Sequence, residues 1–393
     1  MAQTPAGMEH TPSAMLARPM AQSFRGELDN FLAIVHDVAS GAVEWNARPA
    51  WLEFAPNNVC NLRCIMCGQA DGLPLQVMPR EKAIEVLDQV LKDATLLSPT
   101  ALSEPMLANM KLMVQKCREH GVWLNFHTNA TVLDGDKLAE IADRMHQLFI
   151  SFDSPDPATF ETLRARAKFD QVVANIRSIL PVAREHGIPV GFVAVFMRHN
   201  AAQMPALVDF LADLGATSNG ASLRIQAMLD NSISLQDGEP HHAYTPAEQC
   251  AFLDAAEARA RARGLNLHVE LPPPYGRHVV VNPPPLRGVL PDLLVHTADF
   301  LRRQHPKFCA MAAYYMKILP NGDVFPCCRG PDELRMGNTN EQSIEQIWNG
   351  EAYRTFRRRM HAGDYPEVCS TCSVLVDNPA FRACNGAPAA PPA

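Results

Sequence analysis

The sequence predicts an α/β protein: an open barrel of six parallel strand–helix units, followed by a small Cys-rich α+β module. Two observations carry that prediction. Along most of the chain an amphipathic helix, a glycine and a short apolar strand recur in that order, and this alternation builds a parallel sheet with helices outside. The cysteines then fall mainly into an early group and a C-terminal group. A flat doubly wound sheet shares the same alternation; in either architecture ligands bind at the carboxyl ends of the strands.

The first strand is WLEFA near residue 51, the second TLLSPTAL near 95, and the fourth QLFISF near 147. A helix from Met106 to His120 closes at Gly121 before the strand VWLNF. Phe169 to His186, with Pro181 as a potential kink, ends at Gly187 before IPVGFVAVF. Ala206 to Leu214 ends at Gly215, and SLRIQAM follows. Glycine just past a helix supplies the left-handed conformation that terminates it. A further helix has Thr245 as cap, Pro246 at its first position and Glu248 completing a capping box, and it stops at Gly264. The organisation predicted is a polar tail over 1–22, the barrel over 45–270, a Pro-rich connector over 271–300, the Cys-rich module over 301–385 and an Ala/Pro tail over 386–393. In the module, Asn321-Gly322 between apolar runs predicts a hairpin turn.

The 393-residue chain is 47% hydrophobic, enough to bury a full core. Its net charge of −7 gives no reason to expect a nucleic-acid partner. Arg354 and Arg357 to Arg359 fall in a helical pattern and read as a solvated helix face. The N-terminus lacks a basic start and an apolar core, and no run reaches the roughly 18 apolar residues of a membrane span. A cytoplasmic setting follows, where eleven cysteines should be reduced thiols whose clustering points to metal.

Cys60, Cys64 and Cys67 stand in C-x3-C-x2-C spacing directly after the first strand. Three thiolates on one loop converge on a single soft metal centre. Structural zinc sites close all four positions, commonly with a second pair elsewhere, and a cubane also takes four ligands. Three cysteines therefore leave one iron of a [4Fe–4S] cluster open to a ligand. On this motif the sequence resembles the radical S-adenosylmethionine (SAM) superfamily, over about residues 45 to 385. The resemblance implies a partial (β/α)6 TIM-like barrel, SAM chelating the open iron, and reductive cleavage to a 5′-deoxyadenosyl radical. It also implies an electron donor such as flavodoxin or ferredoxin. Met66 stands where the family more often has an aromatic residue over the adenine.

The family's Gly-Gly-Glu-Pro motif aligns with Leu102-Ser103-Glu104-Pro105, so Glu104 is expected to face the SAM ammonium. A helix-start role is its other reading. HTNATVLDG resembles the family's Thr-Asn-Gly turn, with Ala130 in the glycine position. Ser151 and Asp153 resemble groups that reach the SAM ribose, and Arg164 one that pairs with the SAM carboxylate. Ordinary strand hydrogen bonding, helix capping and a surface ion pair are the respective alternatives.

The C-terminal cysteines resemble the SPASM/twitch extension of radical SAM enzymes. The expected ligands of one auxiliary [4Fe–4S] cluster are Cys309, Cys327, Cys369 and Cys372. Cys328 can replace Cys327, Cys384 is a spare ligand or a bystander, and a four-cysteine zinc knob has similar spacing. Cys117 and Cys250 read as core residues. The implied reaction is hydrogen abstraction from an unactivated carbon, with the auxiliary cluster assisting redox. The segment before Cys60 is short for a winged peptide-recognition domain, which favours a small-molecule substrate such as a sugar or secondary-metabolite precursor. A peptide-modifying maturase is the alternative. A non-catalytic electron relay would require a fourth protein ligand at the first cluster. His127, Arg198, Arg224 and Gln226 lie on or just after strands and are candidates to face the substrate, with core packing or solvent exposure as the alternative for each.

Overall fold

The computed structural model describes residues 20–100, 103–227, 245–271, 277–282, 290–328, 330, 332–370, 372 and 375. Most of both predicted tails, Leu102 and Cys384 lie outside the described residues.

Six strands follow the predicted order: β1 (Trp51–Phe54), β2 (Leu96–Ser98), β3 (Trp123–Thr128), β4 (Met145–Ser151), β5 (Val190–Phe196) and β6 (Ser222–Ala227). Each pairs in parallel with its sequence neighbour. Helices Met110–His120, Phe169–Glu185 and Met204–Asp213 separate them, and Gly121, Gly187 and Gly215 follow with positive φ. The helix Pro246–Arg263 carries the predicted Thr245 capping box and ends on Gly264 at φ 67°.

The sheet extends beyond the six units on both sides. β7 (Asn266–Leu271) adds in parallel to β6, and β8 (Arg277–Val281) turns back antiparallel to it. The predicted connector thus contains a strand, and also the helix Leu290–Gln304, which packs on an N-terminal helix, Met20–Ala39. Apolar periodicity in those two helices is a signal the Pro-rich flanks obscured. At the other edge β9 (Tyr315–Ile318) pairs in parallel with β1, and β10 (Asp323–Phe325) and β11 (Gly337–Asn338) continue antiparallel. The Cys-rich module is therefore continuous with the barrel sheet, and its hairpin turns at Gly322 with φ 89°.

Side chains alternate between two environments. Leu52, Phe54, Leu124, Phe126, Leu148, Ile150, Leu223 and Ile225 are buried beneath the helices. Trp51, Glu53, His127, Phe149, Arg224 and His268 occupy the other face and are only half-buried. That inner face is polar and tied across strands: Trp51 Nε1 donates to Ser98 Oγ (2.7 Å), and Ser98 Oγ to Asn125 Oδ1.

The basic run needs a correction. Arg357 is 1% exposed and lies among aromatic rings, its guanidinium carbon 4.1 Å from the Trp45 centroid and 4.5 Å from that of Trp348. Nη1 donates to Val43 O and Asn349 Oδ1, each at 3.0 Å. Burial pushes its pKa down to about 10. Ring faces and carbonyls replace water around this cation, a contact worth about 2 kcal/mol when desolvated. Periodicity alone assigned it to the solvated face because the covering Trp45 lies more than 300 positions away in sequence.

Candidate active site

The early cysteines lie on the loop leaving β1. Its backbone is clamped by neighbouring segments: Arg63 N donates to Ala165 O and Ile65 N to Leu163 O, both at 3.0 Å, and Val59 O accepts from Glu104 N at 2.9 Å. Cys60 Sγ accepts from Leu62 N (3.5 Å) and Asn129 Nδ2 (3.9 Å), and Cys64 Sγ from Arg164 Nη1 (3.8 Å). Donors aimed at sulfur stabilise thiolate charge. Burial pushes the Cys60 thiol up and the Cys64 thiol up to about 11. Neither ionises at neutral pH unless a metal displaces its proton.

Among the described residues no three thiol sulfurs lie mutually within 4.8 Å. Thiolates around one tetrahedral zinc at ~2.3 Å stand only ~3.8 Å apart. The all-sulfur donor set fits iron–sulfur clusters.

Glu104, 1% exposed, links three elements. Its carboxylate accepts from Thr128 Oγ1 and Asn129 N, both at 2.8 Å, and from Met106 N at 3.3 Å, where it caps the 3-10 turn Pro105–Leu107. Burial raises its pKa. The helix-start geometry is thus present, while four lone-pair directions leave room for one more donor beside these three.

Asp153 and Arg164 are buried together. Arg164 Nε donates to Asp153 Oδ2 at 2.5 Å, and Asp153 Oδ1 accepts from Val195 N at 2.7 Å. Asn200 Nδ2 donates to the Asp153 carbonyl at 2.9 Å. Asp153 therefore orients Arg164 against Cys64 from the far side. Ser151 ends β4, half-buried on the inner face, and Met66 packs half-buried within the cysteine loop.

Asn61 escaped the sequence reading of the site, which had placed Asn129 and Thr131 only in the HTNATVLDG turn. Asn129 Nδ2 donates to Asn61 Oδ1 (3.0 Å), Asn61 Nδ2 to Thr131 Oγ1 (2.7 Å), and Thr131 Oγ1 to Asn129 Oδ1 (2.6 Å). This ring ties the loop of the cysteines to the turn after β3. The available signal was the position of Asn61 inside the cysteine motif. Ala130 in the same turn has φ 54° and is fully buried. It adopts the left-handed conformation that glycine would take without strain.

The C-terminal cysteines converge as well. Cys309, Cys327, Cys328, Cys369 and Cys372 line one pocket with Met311, Ala312, Leu334, Phe356, Val368 and Leu375. Burial raises the Cys309 thiol to about 11 and that of Cys369 to about 12. Cys309, Cys327 and Cys369 pack against the core, whereas Cys328 is exposed. Cys117 is wholly buried in its helix, and Cys250 is half-buried in another. Asp88, Glu119 and His120 form a close surface group, but Lys116 Nζ sits 2.8 Å from both carboxylates and makes it an ion-pair network.

The profile of the radical SAM superfamily matches residues 55–211, and that of the SPASM iron–sulfur cluster-binding domain matches 309–373. The chain belongs to the radical SAM superfamily. It is a radical SAM enzyme with a C-terminal auxiliary-cluster module, and SAM and iron–sulfur clusters are its cofactors. A PqqA peptide cyclase of Xanthomonas campestris pv. campestris (strain 8004) is 25% identical over 328 residues, 80% of this chain and 76% of the relative. The dTDP-4-amino-4,6-dideoxy-D-glucose ammonia-lyase of Streptomyces venezuelae is 23% identical over 227 residues, 55% of this chain and 46% of that one. Among solved structures, Streptococcus suis SuiB bound to its precursor peptide SuiA aligns with TM-score 0.58 at 16% identity, covering 95% of this chain and 78% of that one. AdoMet-bound anSMEcpe aligns with TM-score 0.57 at 16% identity, covering 83% and 84%. These structural likenesses bear out the partial-barrel fold with its smaller Cys-rich module. Among the described residues no helix is long and apolar enough to cross a membrane.

Proposed function

We propose that this radical SAM enzyme modifies a peptide, with Cys60, Cys64 and Cys67 holding the SAM-binding [4Fe–4S] cluster and Cys309, Cys327, Cys369 and Cys372 holding one auxiliary cluster. When bound, the first cluster with SAM supplies a 5′-deoxyadenosyl radical, and the second supplies a one-electron acceptor. The protein's part is placement. Arg164, held by Asp153, offers its remaining guanidinium edge beside Cys64 to the SAM carboxylate. Glu104 offers its remaining lone pair to the SAM ammonium, with Thr128 and Asn129 fixing the carboxylate plane. Met66 covers the adenine, and Ser151 reaches the ribose from the end of β4. Asp153 is assigned to positioning Arg164, because Arg164 and Val195 N engage its two oxygens.

The substrate class rests on one observation: the relative named as a PqqA peptide cyclase matches four-fifths of the chain. This favours the peptide alternative over the small molecule suggested by the short segment before Cys60. The sugar-nucleotide enzyme matches a smaller share of each chain. The test is anaerobic reconstitution with SAM, a reductant and peptides encoded beside this gene. Formation of 5′-deoxyadenosine coupled to loss of about 2 Da from one peptide, as joining two X–H groups requires, supports the reading. Coupled turnover only with a small metabolite would overturn it.

A further inference from the structure

Arg224 occupies the inner face at the middle of β6. Its neighbours Leu223 and Ile225 are fully buried beneath the helices, so alternation directs Arg224 into the arch. It is in register with Val193 on β5 and with His268 on β7. Val193 is 4% exposed and walls one side with hydrocarbon. Among the described residues Arg224 makes no ion pair, although Arg259, Arg261 and Arg263 on the surface helix that follows β6 all do. Glu270, the acid next along β7, is in register with Gln226 and exposed, one pleat beyond His268.

Among the described residues the rings beside Arg224 on this face are uncharged. His127 stacks on Phe149 with centroids 4.5 Å apart and planes 11° apart. Gly191 permits that ring position, since a Cβ there would come within 2.7 Å of Phe149. Burial, with the charges of Arg224 and Arg164, holds His127 neutral by pushing its pKa down to about 4. Arg224 and Arg164 therefore both act on His127, and Arg164 lies 3.8 Å from Cys64 Sγ. A guanidinium held half-dry without a counter-charge is costly unless a ligand supplies one. Its planar fork suits a carboxylate.

We propose that Arg224 anchors a substrate carboxylate, an acidic side chain or terminal carboxylate of the peptide, inside the arch beside His127 and His268. This rests on the peptide-modifying reading above. The anchored carboxylate leaves the rest of the substrate to run toward the cysteine loop.

The test uses reconstituted holoenzyme with SAM and two probes, N-acetyl-L-glutamate N-methylamide and its glutamine counterpart. Broadening of the probe proton signals by the reduced clusters reports binding within the arch. Wild-type protein should require at least about tenfold less of the acid than of the amide, a comparison that needs no variant. Arg224→Gln should erase that preference, and Arg224→Lys should keep part of it. Iron content and circular dichroism establish that each variant is folded. Equal broadening by acid and amide in wild type, or a folded Arg224→Gln that still prefers the acid, overturns the proposal. Peptide modification without acid preference sinks this subsite alone; acid preference without peptide modification sinks only the peptide reading.

Discussion

Asp153→Ala isolates the interaction that places Arg164 beside the cysteine loop. Asp153 is wholly buried and Arg164 is 7% exposed, so solvent screens little of their contact. Removing the carboxylate strands a buried guanidinium, which costs about 3–5 kcal/mol. It also orphans the Val195 amide, adding about 1 kcal/mol or more. The expected loss is about 4–6 kcal/mol, at the high end for a single substitution. Asp153→Ala combined with Arg164→Met removes the stranded charge as well, so the double variant should lose only about 1–3 kcal/mol. The assay is equilibrium urea unfolding of the reconstituted protein under anaerobic conditions. Circular dichroism and cluster absorbance are followed together, so that coincident transitions justify a single free energy. A loss below about 1 kcal/mol in Asp153→Ala, or a double variant no more stable than the single, would falsify the buried-pair account.

Ala130→Gly should stabilise the protein by about 0.5–1 kcal/mol, because relief of the left-handed strain at φ 54° exceeds the added chain entropy; a lower urea midpoint contradicts this. Changing Cys60, Cys64 and Cys67 together to Ala should abolish 5′-deoxyadenosine formation and lower iron from about eight to about four per chain. Residual SAM cleavage would refute the ligand assignment. Cys327→Ala should lose the auxiliary cluster while Cys328→Ala keeps it, since Cys327 packs inward and Cys328 is exposed. Iron and sulfide analysis decides between them, and the reverse pattern exchanges the two residues.

Much of this fold was legible because its determinants are local. Helix ends at Gly121, Gly187, Gly215 and Gly264 follow from the conformational freedom of glycine at positive φ. The Thr245 capping box spans four residues, and the cysteine motif eight. The helix Met20–Ala39 and the strand and helix of the supposed connector were missed, because Pro-rich flanks mask a periodicity that tertiary packing makes decisive. The family resemblance implied that Asp153 reaches the ribose; in the structure its two carboxylate oxygens accept from Arg164 Nε and Val195 N.

Chain order and spacing by themselves determined the six strand–helix units and the C-x3-C-x2-C loop, since ligand spacing and backbone caps act over a few residues. The grouping of Cys309 and Cys327 with Cys369 and Cys372 came from resemblance. Only the tertiary structure decided that β9 joins β1 and fuses the module to the barrel sheet. It alone buried Arg357 among rings from distant segments and closed the ring of Asn61, Asn129 and Thr131. The physical reason is common to all three. Burial and charge pairing depend on which distant segment covers a residue, and local periodicity does not carry that information.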